Sequence, residues 1–363
     1  LTAEPTEIQC LPEPLSVAEP PGGPEPGRQA RGWLAREWFY VLLVLAALLM
    51  IAVSWLSPAP AVEPEAAALD SSAPNAMEIM ARLEERPGLK LVLYGYAAGG
   101  LLIFLAGLPL LGYFLWQRMA GVPILGRHLP PASVAWGLWD VIKGGALYYH
   151  ILTALGYLAA VLLPEEAASG LTLVIVLVGN LLITLFIFLL VARRDSRWRE
   201  RLGLVAGGFR RRVRDGLVGY VAFFPLLMAT ALLAVLAAHL LNLEAEQNPL
   251  VPMVLGSDAL WFLVFLMVFG GLVGPITEEI FFRGFFYPPL RRRAGRVGAI
   301  LINAFCFAAL HGNLVQLAPL IGLGLILALL RERTGSVLAS IVLHCTHNTL
   351  VLILLLALKP VLL

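Results

Sequence analysis

The stretch LWFLVFLMVFGGLVGPITEEIFFRGFF, residues 260–286, is long and apolar enough to cross a bilayer, yet it carries Glu278, Glu279 and Arg283 towards its end. A spanning helix needs about 20 mostly apolar residues. Ionisable groups at membrane depth cost roughly 2.5 kcal/mol or more each, so a chain that keeps three of them has a chemical or transport use for them. Residues four apart share a helix face, so Glu279 and Arg283 can pair and partly neutralise each other. Glu278, rotated by about 100°, points elsewhere and is free to act. A competing structural reading makes both glutamates a helix terminus paired with the arginines from Arg291 onward. Arg291 lies some 20 Å along the helix from Glu278 at about 1.5 Å per residue, so that reading needs a sharp break at Gly284 or Pro288-Pro289.

The whole chain shares the character of this stretch. Hydrophobic residues make up 59% and charged residues 14% of its 363 positions, with a mean hydropathy of +0.83, which excludes a soluble globule of this length. About nine stretches read as spans: 38–56, 91–116, 133–163, 171–191, 217–241, 260–286, 297–310, 314–330 and 337–358. The expected fold class is therefore all-α, a polytopic integral membrane protein. Every second connection is basic, most densely from Arg193 to Arg214, then at Arg291, Arg292, Arg293 and Arg296, and at Arg331 and Arg333; the connections between are acidic, as at Glu165 and Glu166 or Glu244 and Glu246. Under the positive-inside rule this alternation predicts a cytoplasmic N-terminus and an exoplasmic C-terminus. Cys10, Cys306 and Cys345 show no disulfide spacing, and the first span reads as an anchor rather than a cleaved signal.

Three regions follow. Residues 1–33, rich in Pro, Glu and Gly, are expected to be a disordered cytoplasmic tail. Residues 34–250 form an N-terminal transmembrane region of about five spans, and residues 251–363 a helical core. A second Pro/Ala/Glu-rich linker after the first span leads into a short surface helix at 77–85, with Glu78 and Arg82 at i,i+4. The Arg-rich connection 193–214 reads as a face attracted to anionic headgroups; with only Trp198 and Phe209 among the arginines it lacks the interleaved aromatics of a nucleic-acid module. Trp136, Trp139, Asp140 and Lys143 read as an interfacial belt.

Two further polar stations lie downstream of Glu278. Asn303, Phe307 and His311 line one helical face, and His344 shares a face with Asn348, with His347 close by. Alone, His311 reads more readily as a packing residue, and the His/Asn pair can be hydrogen-bonding glue between helices. Taken in order, Glu278-Glu279-x-x-x-Arg283, Phe307-x-x-x-His311 and His344-x-x-x-Asn348 resemble the three signatures of the CPBP (Abi) family of intramembrane proteases. That family includes the type II CAAX prenyl endopeptidases and the bacteriocin-immunity proteins. The resemblance covers roughly residues 260–358 and implies a helical protease core there.

Carried onto this chain, the resemblance implies that Glu278 activates the attacking water with His311 helping to hold and deprotonate it. His344 and Asn348 form the oxyanion site, and Glu279 with Arg283 braces the helix. Desolvation that tunes a carboxylate base and preorganised donors in a dry site suit those roles. The family has been described both as metal-independent glutamate proteases and as metalloendopeptidases, and Glu278, His311 and His344 also make a two-His, one-carboxylate zinc set. No HExxH helix is present, and the expectation is a metal-free site with no cofactor. There is no Gly-x-Ser-x-Gly and no pair of membrane aspartates, and Cys345 points about 100° away from its neighbour His344. The alternative from another class is a non-catalytic immunity or scaffold protein, or a proton-coupled transporter using the same buried cluster. The expected partners are the bilayer and a membrane-associated peptide or protein substrate cleaved near the cytoplasmic side, with no nucleic acid; no feature sets an oligomeric state. The Arg-over-Lys bias and Ala/Pro/Gly richness point to a bacterial cytoplasmic membrane.

Overall fold

The computed structural model describes residues 37–50, 76–120, 134–162, 165–204, 208–241, 250–312 and 315–362. The two Pro-rich stretches, 1–33 and the linker after the first span, lie outside them. Among the described residues there are helices and no strands. In chain order the helices are α1 (Glu37–Met50), α2 (Ala76–Glu84), α3 (Pro87–Met119), α4 (Leu138–Leu162), α5 (Glu165–Arg194), α6 (Trp198–Leu202), α7 (Phe209–Leu240), α8 (Leu250–Leu255), α9 (Leu260–Val268), α10 (Gly274–Glu279), α11 (Tyr287–Ala309), α12 (Leu317–Thr334) and α13 (Val337–Leu362). Among the described residues five helical runs are, by length and composition, long and apolar enough to cross a membrane, within α3, α5, α7, the continuous stretch Leu260–Ala309, and α13. The chain is thus an all-α integral membrane protein. The count differs from nine because α1, α4 and α12 fall outside that set of five, and because the expected sixth and seventh spans belong to one 50-residue run.

That run is interrupted in place of an open loop at Arg291–Arg296. Gly295 takes φ 68° and ψ −174° inside α11, a conformation open to glycine at little cost. Just before that break two arginines are held. Arg291 pairs with Glu332 at 3.1 Å, and Arg292 donates to the carbonyls of Val134 and Trp136, both at 3.1 Å. The basic connections gather at one end of the molecule. Arg194 bonds Asp140 at 2.7 Å, and Lys143 reaches Glu37 at 3.2 Å. Gly203, at φ 80° after α6, accepts through its carbonyl from the Val337 N–H at the start of α13. Within that Arg-rich connection the backbone N–H of Arg197, and then Arg201, hold the Asp195 carboxyl below the usual carboxylate range. At the opposite end Arg82 and Arg86 donate to the carbonyls of Val361 and Pro360, which fastens α2 to the end of α13. Segments expected on the same side of the membrane are therefore on the same end of the molecule.

Small residues let the helices of the C-terminal core approach closely, as they do between membrane helices generally. A Cβ built on Gly324 of α12 would lie 2.9 Å from Ala304 Cα on α11, and one on Gly216 of α7 2.6 Å from the Ala339 carbonyl of α13. Phe282, Phe307, Leu327 and Leu343 fill the space between. Gly324→Ala should therefore overpack the α11–α12 contact and cost about 1–3 kcal/mol. A lowered thermal midpoint of the purified protein checks this.

Candidate functional site

Two π-helical turns, Phe269–Val273 and Ile280–Phe286, bracket the short helix α10 that carries Glu278 and Glu279. A π turn replaces i→i+4 pairing by i→i+5, a distortion that recurs at functional sites, and it frees backbone carbonyls that must find other donors. Both turns find them in side chains from elsewhere. On the first, Asn348 Nδ2 donates to Gly270 O at 3.1 Å, Thr349 Oγ1 to Gly271 O at 3.4 Å, and the Cys345 thiol to Leu272 O at 3.9 Å, all from α13. On the second, Asn303 Nδ2 donates to Phe282 O at 2.9 Å, Arg331 Nε to Arg283 O at 3.1 Å, and Trp136 Nε1 to Phe285 O at 2.8 Å. Trp136 is consequently not part of an interfacial belt. It is 2% exposed and stacks on Phe285, because the indole is the donor that the second turn needs.

The two adjacent glutamates stand in opposite environments. Glu279 is sealed, and its Oε1 accepts from Arg283 at 2.8 Å and from His344 Nδ1 at 3.0 Å. Arg283 is equally sealed. It donates onward to Gly324 O at 3.2 Å and lies 4.6 Å over the Phe307 ring. Neither Arg283 nor Glu279 turns to the arginines beyond Arg291, which removes the helix-terminus reading. Glu278 keeps a third of its side chain exposed and faces His344 Nε2 at 3.9 Å. An ionised Glu279 can only accept, so His344 carries its proton on Nδ1, and in the neutral ring Nε2 is left as an acceptor facing the Glu278 carboxylate. At 3.9 Å these groups are too far apart for a direct hydrogen bond and well spaced for a donor between them.

His311 follows the end of α11. Its Nδ1 bonds the Phe307 carbonyl at 2.8 Å, which leaves Nε2 open, and its exposed ring meets the Phe307 ring edge-on at 4.9 Å. Phe307 meets His344 in the same way at 5.6 Å. Both imidazoles therefore border one phenyl ring, and Phe307 separates them. Asn348 sits one turn past His344 with one amide N–H committed to Gly270 and, among the described residues, no partner for the other. His347 turns away from this centre towards Tyr220. Among the described residues no group of three or more His, Cys, Asp or Glu side chains is close enough to hold a metal ion; Glu278, His311 and His344 are not assembled as a ligand set.

The α5 helix also contributes. Asn180 accepts through Oδ1 from the Thr277 hydroxyl at 3.3 Å, and Thr277 itself bonds Gly274 O. Neither residue stood out in the sequence, and an isolated Asn in an apolar span was the only signal of the first.

The fold and site define a helical membrane protein with a paired-carboxylate and imidazole centre. Residues 259–350 match the family model "Type II CAAX prenyl endopeptidase Rce1-like". Of curated proteins, the chain is similar to one from Bacillus subtilis (strain 168) described as "Putative membrane peptidase YdiL". The two are 25% identical over 201 residues, which cover 53% of this chain and 74% of that protein. No solved structure matches. Residues 259–350 are thus similar to that family over the stretch that carries Glu278, Glu279, Arg283, His311, His344 and Asn348.

Proposed function

We propose that the chain is an intramembrane endopeptidase in which Glu278 activates a water molecule for attack on a peptide carbonyl. The observation that carries this reading is the 3.9 Å spacing between Glu278 Oε2 and His344 Nε2, two acceptors aimed at one donor while Glu279 and Arg283 hold the imidazole from behind. Water between them loses a proton to Glu278 as its oxygen bonds to the carbonyl carbon. Holding that proton at the carboxylate is general base catalysis, typically worth about 10²–10⁴-fold. The tetrahedral oxyanion then meets the second Asn348 N–H and, once Glu278 passes the water's proton across to His344 Nε2, that second donor; preorganised donors of this kind usually supply the largest stabilisation. The C–N bond breaks as the departing nitrogen takes that same proton from His344 Nε2, which returns Glu278 and His344 to their starting states; His311 is proposed to help hold and deprotonate the water. No step is routed through a metal. The substrate is a membrane-associated peptide or protein cleaved near the cytoplasmic side, and the protein resides in a bacterial cytoplasmic membrane with its N-terminus inside. Glu278, His311, His344 and Asn348 are the reacting groups, with Glu279 and Arg283 as support.

Reconstituted in lipid vesicles with a membrane-protein fraction in ¹⁸O water, the protein should release fragments whose new carboxyl termini carry the label. Proton-coupled uptake with no labelled termini would instead make the polar cluster a transport relay.

A further inference from the structure

The short helix α6 and the glycine after it meet different partners on their inner and outer sides. Inward, Leu202 is sealed and packs with Ile280 and Phe285 of the second π turn, and a Cβ built on Gly284 of that turn would lie 3.3 Å from the Leu202 carbonyl. Gly203 accepts through its carbonyl from the Val337 N–H at 3.0 Å and from the Ser336 hydroxyl at 3.2 Å. A Cβ on Gly203 would fall 2.8 Å from Cζ of Arg331, whose Nε donates to Arg283 O. Leu202-Gly203 is thus a wedge between the start of α13 and the backbone that carries Arg283, and Arg283 holds Glu279, the partner of His344. Outward, the same connection is cationic. Arg193, Arg197, Arg199, Arg210 and Arg211 are exposed, and none of the five forms an ion pair among the described residues, because neighbouring arginines take up Asp140, Asp195 and Asp215. Glu200 is the one carboxylate of residues 193–214 left to offset them.

We propose that the outer face binds the headgroups of anionic phospholipids, and that their occupancy regulates the reaction centre by seating Leu202-Gly203 against the second π turn. The regulatory half rests on the endopeptidase reading. Position selects the occupant. Arg193 closes one apolar run and Arg210 opens the next, so the unpaired charges stand where headgroups begin, and anionic lipids gather beside basic clusters at that level. Trp198, the aromatic of α6, is packed on Phe188 and is not free to stack on a nucleic-acid base. Like charges crowded on one connection repel each other, and that repulsion works against the seated wedge. Lipid phosphates cancel it. An anion that binds the seated form better than a displaced one shifts the balance towards the seated form by that difference in affinity.

The test places the full chain in phosphatidylcholine vesicles with and without phosphatidylglycerol, and reads kcat and KM separately for a peptide whose cleavage site is mapped by comparing wild type with Glu278→Gln. Anionic vesicles that only gather peptide lower KM alone. Seating of the wedge should raise kcat by about fivefold or more, the usual floor for coupling between two sites, and the gain should fade at high salt. Changing all five arginines to glutamine should abolish the gain and leave the rate in phosphatidylcholine unchanged, whereas five lysines should keep most of it. Native mass spectrometry of the Glu278→Gln protein, which needs no cleavage, should show retained phosphatidylglycerol that the five glutamines remove. Should the five-glutamine chain fail to insert, Arg210→Gln with Arg211→Gln decides, with a reduced gain expected. An equal kcat in both vesicles, an undiminished gain in the glutamine chain, or a gain reproduced in phosphatidylcholine by inorganic phosphate or RNA overturns the proposal and leaves the protease reading standing. A wild type that cleaves nothing Glu278→Gln leaves intact overturns the protease reading, and lipid retention then decides the headgroup site alone.

Discussion

Glu278→Gln is expected to lower peptide cleavage by about 10²–10⁴-fold, the range that a positioned general base contributes, with the thermal midpoint nearly unmoved. Glutamine keeps the shape and the acceptor oxygen of the side chain but cannot take a proton from water. The stability half of the expectation follows from surroundings. Glu278 has a third of its side chain exposed and meets His344 only at 3.9 Å, so little native interaction is lost, and changes at such positions usually stay within about 0.5 kcal/mol. Initial rates in vesicles and melting curves on the same preparation check both halves.

Arg283→Met is expected to act in the opposite way, through the fold first. Methionine fills much of the volume but leaves Glu279 with His344 as its one partner in a sealed site, and removing one member of a buried pair costs about 3–5 kcal/mol. The bond to Gly324 O and the contact over Phe307 go with it. Against a total stability of about 5–15 kcal/mol for a typical domain, that is a large fraction, read as a fall in thermal midpoint. Adding Glu279→Gln to Arg283→Met should recover part of the loss, because the uncompensated charge goes too; a double variant as unstable as the summed singles would deny the coupling.

Much of this was legible in the residues. The apolar runs placed the helices, and four-residue spacing paired Glu279 with Arg283 and set Glu278 apart. The order of the three signatures marked the same stretch that the family model matches. The two π turns were not legible, because their carbonyls are held by Trp136, Asn303, Arg331 and Asn348, which stand from 21 to 149 positions away in the chain; local periodicity carries no trace of such partners. The same cause misplaced Trp136 at a membrane interface, since a tryptophan near a span end looks the same whether its N–H meets water or a carbonyl. The connection at Arg291–Arg296 reads as a loop by charge, yet tertiary pairing of Arg291 and Arg292 keeps it helical up to one glycine break. His344 was legible as a polar residue within an apolar span but not as Glu279's partner, and that contact orients the ring.

The division of labour between the neighbouring carboxylates is most directly tested by measuring cleavage rate and thermal midpoint side by side for Glu278→Gln and Glu279→Gln. Glu278→Gln should be inactive but stably folded, and Glu279→Gln should show a lowered midpoint, since a buried partner of Arg283 and His344 has lost its charge. Cleavage persisting in Glu278→Gln, or two variants that lose stability to the same extent, would contradict it.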